Sequence, residues 1–436
     1  MKRIILLICL ACAVLILKAQ DVEFEKAADA VKNMKVGWNL GNTLDSHSGS
    51  TENMWIEYYT DRTPSKYETA WGQPVATLKL IKMFKEAGFN AIRVPVTWYP
   101  HMGGIRTDGL IWDKKRYPFG SKVDEAWMER VHEVVDYVIS QGMYCILNVH
   151  HDTGDTDVAW VVADRDSYNA NKDRFYDLWT QIANEFKDYD EHLLFEGYNE
   201  MLDTLGSWVY ASAKADGEYN ASLSSSAYAA VNGYAQTFVD AVRATGGNNI
   251  SRNLIVTNYA ASNCRGTGHS TDPFTKMVIP TDTLSGHIIL QIHSYILGMT
   301  NLNNSKNEAS GLMSDLNTRF VTKKVPVVIG EWGTLNEDDY TDNTRYENFK
   351  KYCKYFVSTA KRKNIATLFW MKLSDGQDRS VPKWTLEDLK DEIIKGYYGN
   401  DGYVGVAPVN AGVTYDSEYW LNGNIVIRNG RKYLVR

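Results

Sequence analysis

Eight short apolar runs, separated by segments with helical periodicity, restrict the folds open to this chain more than any other feature. Each run is rich in Val, Ile and Leu, as expected of a strand buried on both faces. The runs are VGWNLGN from Val36, FNAIRVPV from Phe89, YCILNVHH from Tyr144, LLFEGYNE from Leu193, NLIVTNY from Asn253, IILQIHSY from Ile288, VPVVIGEWG from Val325 and ATLFWMKL from Ala366. Between them, apolar residues recur every three or four positions, as in amphipathic helices. The alternation predicts an all-parallel sheet.

The number of runs favours a closed sheet over an open one. A (β/α)8 TIM barrel has eight parallel strands, each followed by a helix, and typically takes about 250 residues, more with insertions. An open, doubly wound sheet is the alternative. The Gly-rich phosphate turn that would support it is missing, because NLGNTLD after the first run has a single Gly. We therefore predict an α/β fold in which residues 21–396 form a (β/α)8 catalytic barrel.

Both ends of the chain differ from the predicted barrel. Two basic residues precede the apolar run from Ile4 to Leu17, and Ala19 follows it, which is typical of a secretory signal over residues 1–20. Lipid attachment at Cys12 is the alternative. Residues 397–436 contain IVIRNGRKYLV, where Asn-Gly between two β-type runs predicts a hairpin. This C-terminal extension packs on the barrel or serves as a sorting tail. We predict a secreted, periplasmic or cell-surface protein.

Charge and cysteine content exclude two classes of protein. The net charge is -6 and no basic cluster is present, which argues against a nucleic-acid partner. Only Cys145, Cys264 and Cys353 follow the predicted signal, and an odd number of cysteines implies no disulfide framework. With 44% hydrophobic residues, the chain can be stabilised by its core alone.

Polar side chains stand where most of the predicted strands end. In barrels of this type the active site lies at the face where the strands end. These side chains should therefore meet in space. They are Arg93 in the second run, His150 and His151 in the third, Asn199 and Glu200 in the fourth, His293 and Tyr295 in the sixth, Glu331 in the seventh and Trp370 in the eighth.

Two glutamates of this group are the candidates for chemistry. Side chains alternate between the two faces of a strand. Glu200 is therefore predicted to share a face with Glu196 and Tyr198. By the same alternation Glu331 is predicted to share a face with Ile329. If both faces point into the barrel, the carboxyl groups of Glu200 and Glu331 approach each other across its mouth.

A cation between these carboxyls would give them different protonation states. Arg93 can reach one of them and lower its pKa, while the other keeps its proton at neutral pH. Glycosidic cleavage requires such a pair, with one carboxyl as the acid and one as the nucleophile. Glu196 lies in the middle of its strand, and we expect it to be a buried partner of Arg93.

Six motifs, one per strand and in this order, carry a resemblance to a known family. GWNLGNTLD, GFNAIRVPVTW, LNVHH, LLFEGYNE, IHSY and VVIGEWG resemble glycoside hydrolase family 5, the cellulase-like enzymes of clan A. The resemblance implies a retaining hydrolase with Glu200 as acid/base and Glu331 as nucleophile. Carboxyls of retaining enzymes stand about 5–5.5 Å apart. The residues it places around the reacting sugar are Arg93, His150, Asn199, His293, Tyr295 and Trp370.

Three further segments indicate a subgroup. NLGNTLD, ETAWG and ATGGNN resemble the bacterial enzymes active on cellulose, mixed-linkage glucan and xyloglucan. The resemblance thus implies a secreted endo-β-1,4-glucanase that acts on plant cell-wall β-glucans, as a monomer and without a cofactor or metal. As further contacts to the polysaccharide we predict His151, Asn42, Trp98 and Trp332.

The sequence leaves alternatives open. A β-mannanase or a dedicated xyloglucanase would use the same fold and the same catalytic pair. An inactive carbohydrate-binding surface protein would have little need of both glutamates. A metal-dependent hydrolase would use His150, His151 and His293 as ligands, because zinc and iron sites combine His with carboxylates.

Overall fold

A computed structural model describes residues 24–212, 219–264 and 272–403, and the backbone of 418–421, 425–428 and 431–434. Its central feature is a closed barrel of eight parallel strands, in which neighbours in the chain are neighbours in the sheet and the eighth strand pairs with the first. The strands are β1 Val36–Asn39, β2 Ala91–Val94, β3 Tyr144–Asn148, β4 Leu193–Glu196, β5 Leu254–Thr257, β6 Ile288–Ile296, β7 Val327–Thr334 and β8 Ala366–Phe369. The predicted (β/α)8 barrel is confirmed.

Helices follow the strands and cover the barrel. They are α1 Ala27–Met34, α2 Trp55–Thr60, α3 Pro64–Glu68, α4 Leu78–Glu86, α5 Glu125–Ile139, α6 Arg165–Glu185, α7 Ala221–Ala244, α8 Pro273–Lys276, α9 Leu302–Arg319, α10 Asp338–Thr341, α11 Asn343–Lys361, α12 Gln377–Ser380 and α13 Glu387–Tyr398. Short 3-10 turns cover Tyr99–His101, Gly247–Ile250, Tyr259–Ala261 and Val321–Lys323. The helices α2 and α3 lie in the long connection that follows β1, above the barrel mouth.

Two apolar clusters lie on the two sides of the barrel wall. Outward side chains pack under the helices. Inward side chains fill the barrel together with one face of α1. This helix closes the end at which the strands begin, because Asn90 and Asn253, which precede β2 and β5, donate hydrogen bonds to carbonyls of Asn33 and Glu25. The opposite end of the barrel is its mouth, where the polar residues lie.

A β-bulge in β7 changes which face Glu331 occupies. Ile329 packs in the outer cluster and Val328 in the inner one, so strict alternation would turn Glu331 outward. The register with β6 shifts between Ile292 and His293, and His293 stands opposite Glu331. The bulge therefore returns Glu331 to the barrel interior. The prediction that Glu331 shares a face with Ile329 was wrong, although its inward direction was right.

Gly330 is the residue that permits this bulge. A Cβ atom at Gly330 would lie 2.2 Å from the Oε1 atom of Gln291 on β6, far inside van der Waals contact.

The residues that follow β4 also depart from the alternation of side chains predicted for a strand. Tyr198 points outward, where its hydroxyl donates to the Val231 carbonyl of α7. Glu196 and Tyr198 do not share a face as predicted, because the chain leaves the sheet at Gly197.

The C-terminal extension contains three strands, β9 Glu418–Leu421, β10 Ile425–Arg428 and β11 Arg431–Leu434, which form an antiparallel sheet. Arg428 pairs with Arg431, so β10 and β11 flank the predicted Asn-Gly turn. The turn itself and the predicted signal over 1–20 lie outside the described residues. No helix within the described ranges is long and apolar enough to cross a membrane.

Candidate active site

Arg93 connects the acidic groups at the barrel mouth. Its side chain is fully buried. Two of its N–H groups donate to Glu196 at 2.6 and 2.7 Å, and one donates to Glu331 Oε1 at 2.6 Å. The remaining two donate to the side-chain oxygens of Asn199 and Asn39, at 2.8 and 3.0 Å. All five donors of the guanidinium are used, which holds the group in one orientation between the two carboxylates.

Glu331 is surrounded by groups that favour its ionised form. Oε1 accepts from Arg93, and Oε2 accepts from the Tyr295 hydroxyl at 2.7 Å. Burial by itself would raise the pKa of Glu331, but the electrostatic influence of His293 and Arg93 and the Tyr295 hydrogen bond outweigh it and hold the pKa below its ordinary value. Burial and the Glu331 carboxylate raise the pKa of Tyr295, so the phenol stays a donor.

Glu200 has the opposite balance. Its Oε1 atom lies 2.7 Å from His293 Nδ1, and its side chain is 21% exposed, against 6% for Glu331. Burial raises the pKa of Glu200 above its ordinary value, and repulsion by Glu331 adds to this, while His293 and Arg93 act in the other direction. Glu200 therefore keeps its proton at a pH at which Glu331 is ionised.

The two carboxyls approach closely. One oxygen of Glu200, one oxygen of Glu331 and a ring nitrogen of His293 all lie within 4.8 Å of one another. Inverting glycosidases separate their carboxyls by about 6.5–9.5 Å to admit a water, and retaining ones by about 5–5.5 Å. The separation is that of a pair in which one carboxylate attacks directly.

Amide side chains at the ends of β3 and β4 orient their neighbours. Because Arg93 has only donors, it must face the Asn199 oxygen, and the Asn199 NH2 group remains available as a donor. Asn148 accepts from the Val96 amide, so its NH2 group faces His150 Nδ1 at 3.0 Å. His150 Nδ1 is thus an acceptor. Its proton lies on Nε2, which is 3.9 Å from Glu331 Oε1.

Trp370 and His150 line one side of the mouth with nearly parallel rings, 5.9 Å apart and inclined by 10°. The indole of Trp370 lies directly over Gly41, in the loop that follows β1. A Cβ atom at Gly41 would stand 2.8 Å from the ring of Trp370. The missing side chain at position 41 therefore makes room for a flat aromatic surface beside the carboxyl pair.

Comparison with known proteins identifies the family. The model of the family described as Cellulase (glycosyl hydrolase family 5) matches residues 55–375. The chain belongs to glycoside hydrolase family 5. Endoglucanase A of Clostridium longisporum is 33% identical over 405 residues, which cover 87% of this chain and 68% of that protein. Endoglucanase B of Neocallimastix patriciarum is 32% identical, with coverage of 78% and 64%.

Solved structures from family 5 agree with this assignment. A broad-specificity endoglucanase of the GH5-4 group from an uncultured bacterium shares 49% identity, with a TM-score of 0.77 and coverage of 86% of this chain and 96% of that one. A family 5 enzyme from Prevotella bryantii B14 in complex with a xyloglucan tetradecasaccharide shares 40% identity, with a TM-score of 0.72 and coverage of 86% and 99%. The predicted family and the predicted glycosidase class, an endoglucanase of the cellulase type, are confirmed.

Two of the predicted sugar contacts in this family 5 chain are wrong. Trp98 and Trp332 are fully buried. Trp98 donates from its indole to the Asn148 carbonyl, and Trp332 stacks on Phe356 with ring centroids 4.5 Å apart. Neither ring has a face open to the mouth. Both side chains instead support the wall of the barrel, which is the other common use of a large aromatic residue.

His151 and Asn42 lie at the rim of the mouth. The His151 side chain is 30% exposed, its ring stacks on His47 at 4.7 Å, and its Nε2 atom lies 4.0 Å from Asp45. Asn42 is in the left-handed region with φ 58°, and its amide donates to Asp45. Asp45 thus holds the turn after β1 that carries Asn42. Both residues remain candidates for contact with substrate.

Three residues on which the site depends were not predicted from the sequence. Asn39 and Asn148 are fully buried and orient Arg93 and Glu196, and Gly41 accommodates Trp370. The sequence indicated two of these residues in part. Asn39 and Asn148 end apolar strands, where a buried amide needs hydrogen-bond partners. Nothing in the local sequence distinguished Gly41 from an ordinary turn glycine.

Two groups among the described residues bring three possible metal ligands together, Asp45–His150–His151 and Glu200–His293–Glu331. In the first, the lone pair of His150 Nδ1 already accepts from Asn148. In the second, Glu331 is already bound by Arg93 and Tyr295. A metal on His150 would have to displace the Asn148 hydrogen bond or the proton on Nε2, and a metal on Glu331 would place its positive charge beside the Arg93 guanidinium. The donor sets do not fit a catalytic metal.

Proposed function

We propose that this family 5 chain is a retaining endo-β-1,4-glucanase in which Glu200 is the acid/base and Glu331 the nucleophile. One observation carries the assignment of roles. One oxygen of each carboxyl lies within 4.8 Å of the other, but of the two carboxyls Arg93 and Tyr295 donate hydrogen bonds to Glu331 and not to Glu200. The same residue type is therefore held protonated on one side of the glycosidic bond and ionised on the other.

In the first step, a Glu331 oxygen attacks the anomeric carbon and the bond to the leaving sugar breaks. The Glu200 proton goes to the glycosidic oxygen, which leaves as a hydroxyl. Glu331 loses its negative charge in this step. Arg93 and Tyr295, which donate hydrogen bonds to the Glu331 carboxylate, stay in place in the covalent glycosyl-enzyme. Glu200, now ionised, is next to His293 at 2.7 Å.

In the second step, Glu200 takes a proton from a water molecule, and the water oxygen attacks the anomeric carbon. The ester bond to Glu331 breaks, and both carboxyls return to their starting states. Two inversions at one carbon give net retention of configuration. Stabilisation of the returning Glu331 carboxylate by Arg93 makes it a good leaving group, because its conjugate acid is strong.

Two neighbours complete the proposed binding of the reacting sugar. The Asn199 NH2 group, whose oxygen is held by Arg93, donates to the sugar 2-hydroxyl, a bond that strengthens as positive charge develops at the anomeric carbon. Trp370 presents its ring face to the C–H face of the sugar. His151 and Asn42 are proposed as contacts to the next sugar at the rim.

The proposed substrates are cell-wall β-glucans, including xyloglucan. Support comes from the relatives, which are broad-specificity endoglucanases of the GH5-4 group and an enzyme whose structure contains a xyloglucan oligosaccharide. Polymers of this size do not cross membranes, so we propose that the chain acts outside the cytoplasm, exported by residues 1–20. One chain supplies every group of the site, so a monomer is sufficient.

The test is release of reducing sugar from carboxymethylcellulose, barley mixed-linkage glucan, xyloglucan and glucomannan. Wild type and Glu331→Ala are compared with and without a chelator. We expect chelator-resistant hydrolysis of the glucans that is lost in the variant, and proton NMR should show the β-anomer as the first product. An α-anomer would contradict retention, and preference for glucomannan would favour a mannanase. A folded protein without activity on any of them would support the binding-protein alternative.

A further inference from the structure

The short helix α2 exposes two aromatic rings beside the barrel mouth. Trp55 and Tyr59 are 41% and 44% exposed. They are four residues apart and therefore lie on one side of the helix. Their rings are nearly parallel, inclined by 13° with centroids 5.7 Å apart, in an offset stack. We call Trp55 and Tyr59 the aromatic shelf.

The opposite side of α2 anchors the shelf. Ile56, Glu57 and Thr60 are buried. The Glu57 carboxylate accepts from both the amide and the hydroxyl of Ser48. At the start of the helix, the Met54 amide donates to the carbonyl of Leu110 in the next loop, at 2.7 Å. A six-residue helix cannot be stable alone, so these contacts hold it, and they leave the shelf rigid.

The shelf is connected to the proposed catalytic centre by a short series of contacts. Glu57 accepts from the Tyr99 hydroxyl at 3.1 Å, and this hydroxyl lies 3.4 Å from His47 Nδ1. His47 stacks on His151, which is already at the rim of the mouth. The shelf and the catalytic pair therefore belong to the same face of the barrel.

Exposure of this kind requires an explanation from function. Packing of α2 does not need the rings, because its buried side is complete without them. Apolar surface continues next to the shelf, where Leu110 and Ile111 are 42% and 56% exposed. No Lys or Arg lies between the two stacked rings, which are one helical turn apart. A neutral ligand with flat apolar faces is the complement of such a surface. Glucose units in a β-1,4-linked chain present C–H groups on both faces.

We propose that the aromatic shelf is a second binding surface for β-1,4-glucan, which holds the polymer outside the catalytic pair. The proposal rests on the proposed function, since it takes its ligand from the same substrate class. The shelf does not contact the reacting sugar. It retains long chains near the mouth and has no effect on substrates that end at the catalytic pair. The consequence is a preference for polymer over short oligosaccharides.

Binding is measured by affinity electrophoresis in gels that contain hydroxyethylcellulose or xyloglucan. The full chain carries Glu331→Ala, so the polymer stays intact during the run. Trp55→Ala combined with Tyr59→Ala should raise the dissociation constant about thirtyfold, because two ring contacts of roughly 1 kcal/mol each are lost. Trp55→Phe with Tyr59→Phe should preserve most of the binding, since flat rings remain. Tyr219→Ala, which removes an exposed ring two residues before α7, is the matched control and should have no effect.

Turnover of 4-nitrophenyl β-cellobioside is measured in parallel in chains that retain Glu331. The double alanine variant should keep its kcat/KM on this short substrate and lose activity on the polymer. Unchanged polymer binding by the alanine variant would overturn the proposal, as would an equal loss on both substrates. Because binding is measured in an inactive background, it would still report on the shelf if the proposed hydrolysis itself failed. The unfolding temperatures of the double alanine and double phenylalanine variants would be compared, to separate a loss of binding from a loss of stability.

Discussion

At the scale of single residues, Glu200 and Glu331 differ in their neighbours and therefore in their protons. Arg93 and Tyr295 donate hydrogen bonds to Glu331, whereas Glu200 is hydrogen-bonded to His293. Activity requires ionised Glu331 and protonated Glu200. It should rise as pH increases through the pKa of Glu331, which is lowered, and fall as pH increases through the pKa of Glu200, which is raised. The working range lies between the two values.

The role of Glu200 can be tested by Glu200→Gln. We expect kcat on polymeric glucan to fall about 10²–10⁴-fold, the usual contribution of a general acid. On 2,4-dinitrophenyl β-cellobioside the first step should be little affected, because this leaving group departs without a proton. Burst kinetics separate the two steps. Glu129→Gln, an exposed glutamate on α5, is the control. An equal loss of the first step on both substrates would exclude the acid role.

Tyr295→Phe should shift the acidic limb of the pH profile. The hydroxyl donates to Glu331 at 2.7 Å and stabilises the carboxylate. Without this hydroxyl the pKa of Glu331 rises. The acidic limb of kcat/KM therefore moves to higher pH, by about one pH unit for a hydrogen bond worth roughly 1.4 kcal/mol. Tyr198→Phe removes a hydroxyl that faces α7 and should leave the limb unchanged. A limb that stays in place in Tyr295→Phe would contradict this account.

At the scale of elements, buried polar contacts join the loops around the mouth. Asp152, after β3, accepts from the backbone amides of Trp98 and Tyr99, both at 2.8 Å, and from the Trp160 indole at 2.6 Å. One carboxylate therefore joins the loop after β2 to the loop after β3. The rim of the mouth depends on such contacts, because loops have few apolar groups to bury.

Asp152→Asn should destabilise the protein by about 1–3 kcal/mol, the cost of a buried donor without its acceptor. The amide has one oxygen, so at least one of the three donors would face an NH2 group. Unfolding by urea measures the change. Asp155→Asn, an exposed neighbour, should change the free energy of unfolding by less than about 0.5 kcal/mol. Equal effects of both substitutions would show that Asp152 does not join the loops.

Gly41→Ala tests how the loop after β1 positions Trp370. The new methyl group would overlap the indole ring, whose free edge can move away. We therefore expect KM for cello-oligosaccharides to rise about tenfold with a small change in stability, since a displaced ring loses its contact with the sugar. Gly311→Ala on α9, where a Cβ atom meets nothing within 4 Å, should leave KM unchanged. A normal KM in Gly41→Ala would mean that Trp370 needs no such space.

At the scale of the whole molecule, the barrel is closed within Val36–Phe369, and the continuously described part of the chain after it packs on the barrel as far as Tyr403. The Tyr403 ring lies against Gly88, where a Cβ atom would be 2.7 Å from Cγ, and 5.0 Å from the Tyr398 ring. The barrel wall needs no strand from the C-terminal extension. Among the strands that the structure describes, these eight pair only with one another.

A chain that ends after Tyr403 should therefore keep its kcat/KM and its unfolding temperature. A chain that ends after Tyr398 should lose about 1 kcal/mol or more, because the cover over Gly88 is removed. Thermal unfolding and cellobioside turnover measure both properties. Loss of activity in the longer truncation would show that residues 404–436 contribute to the barrel or to its site.

Much of the site was predictable from its position in the chain. Glu200, Glu331 and Arg93 lie toward the C-terminal ends of apolar runs, and the ends of parallel strands meet at one face of a barrel. Less predictable was the direction of side chains after the regular strands end. Trp98 and Trp332 were expected at the substrate and are buried, because a large aromatic residue suits a core and a sugar platform equally.

The sequence by itself determined the barrel and the two carboxyls at its mouth. Buried parallel strands need continuous apolar runs, and an unpaired charge in such a run is too costly to bury. Only the tertiary structure decided how those carboxyls differ. The bulge at Gly330 depends on the register with β6, and the pKa values depend on how Arg93 and Tyr295 approach Glu331. Both are set by contacts between strands that are distant in the chain, and local periodicity contains no information about them.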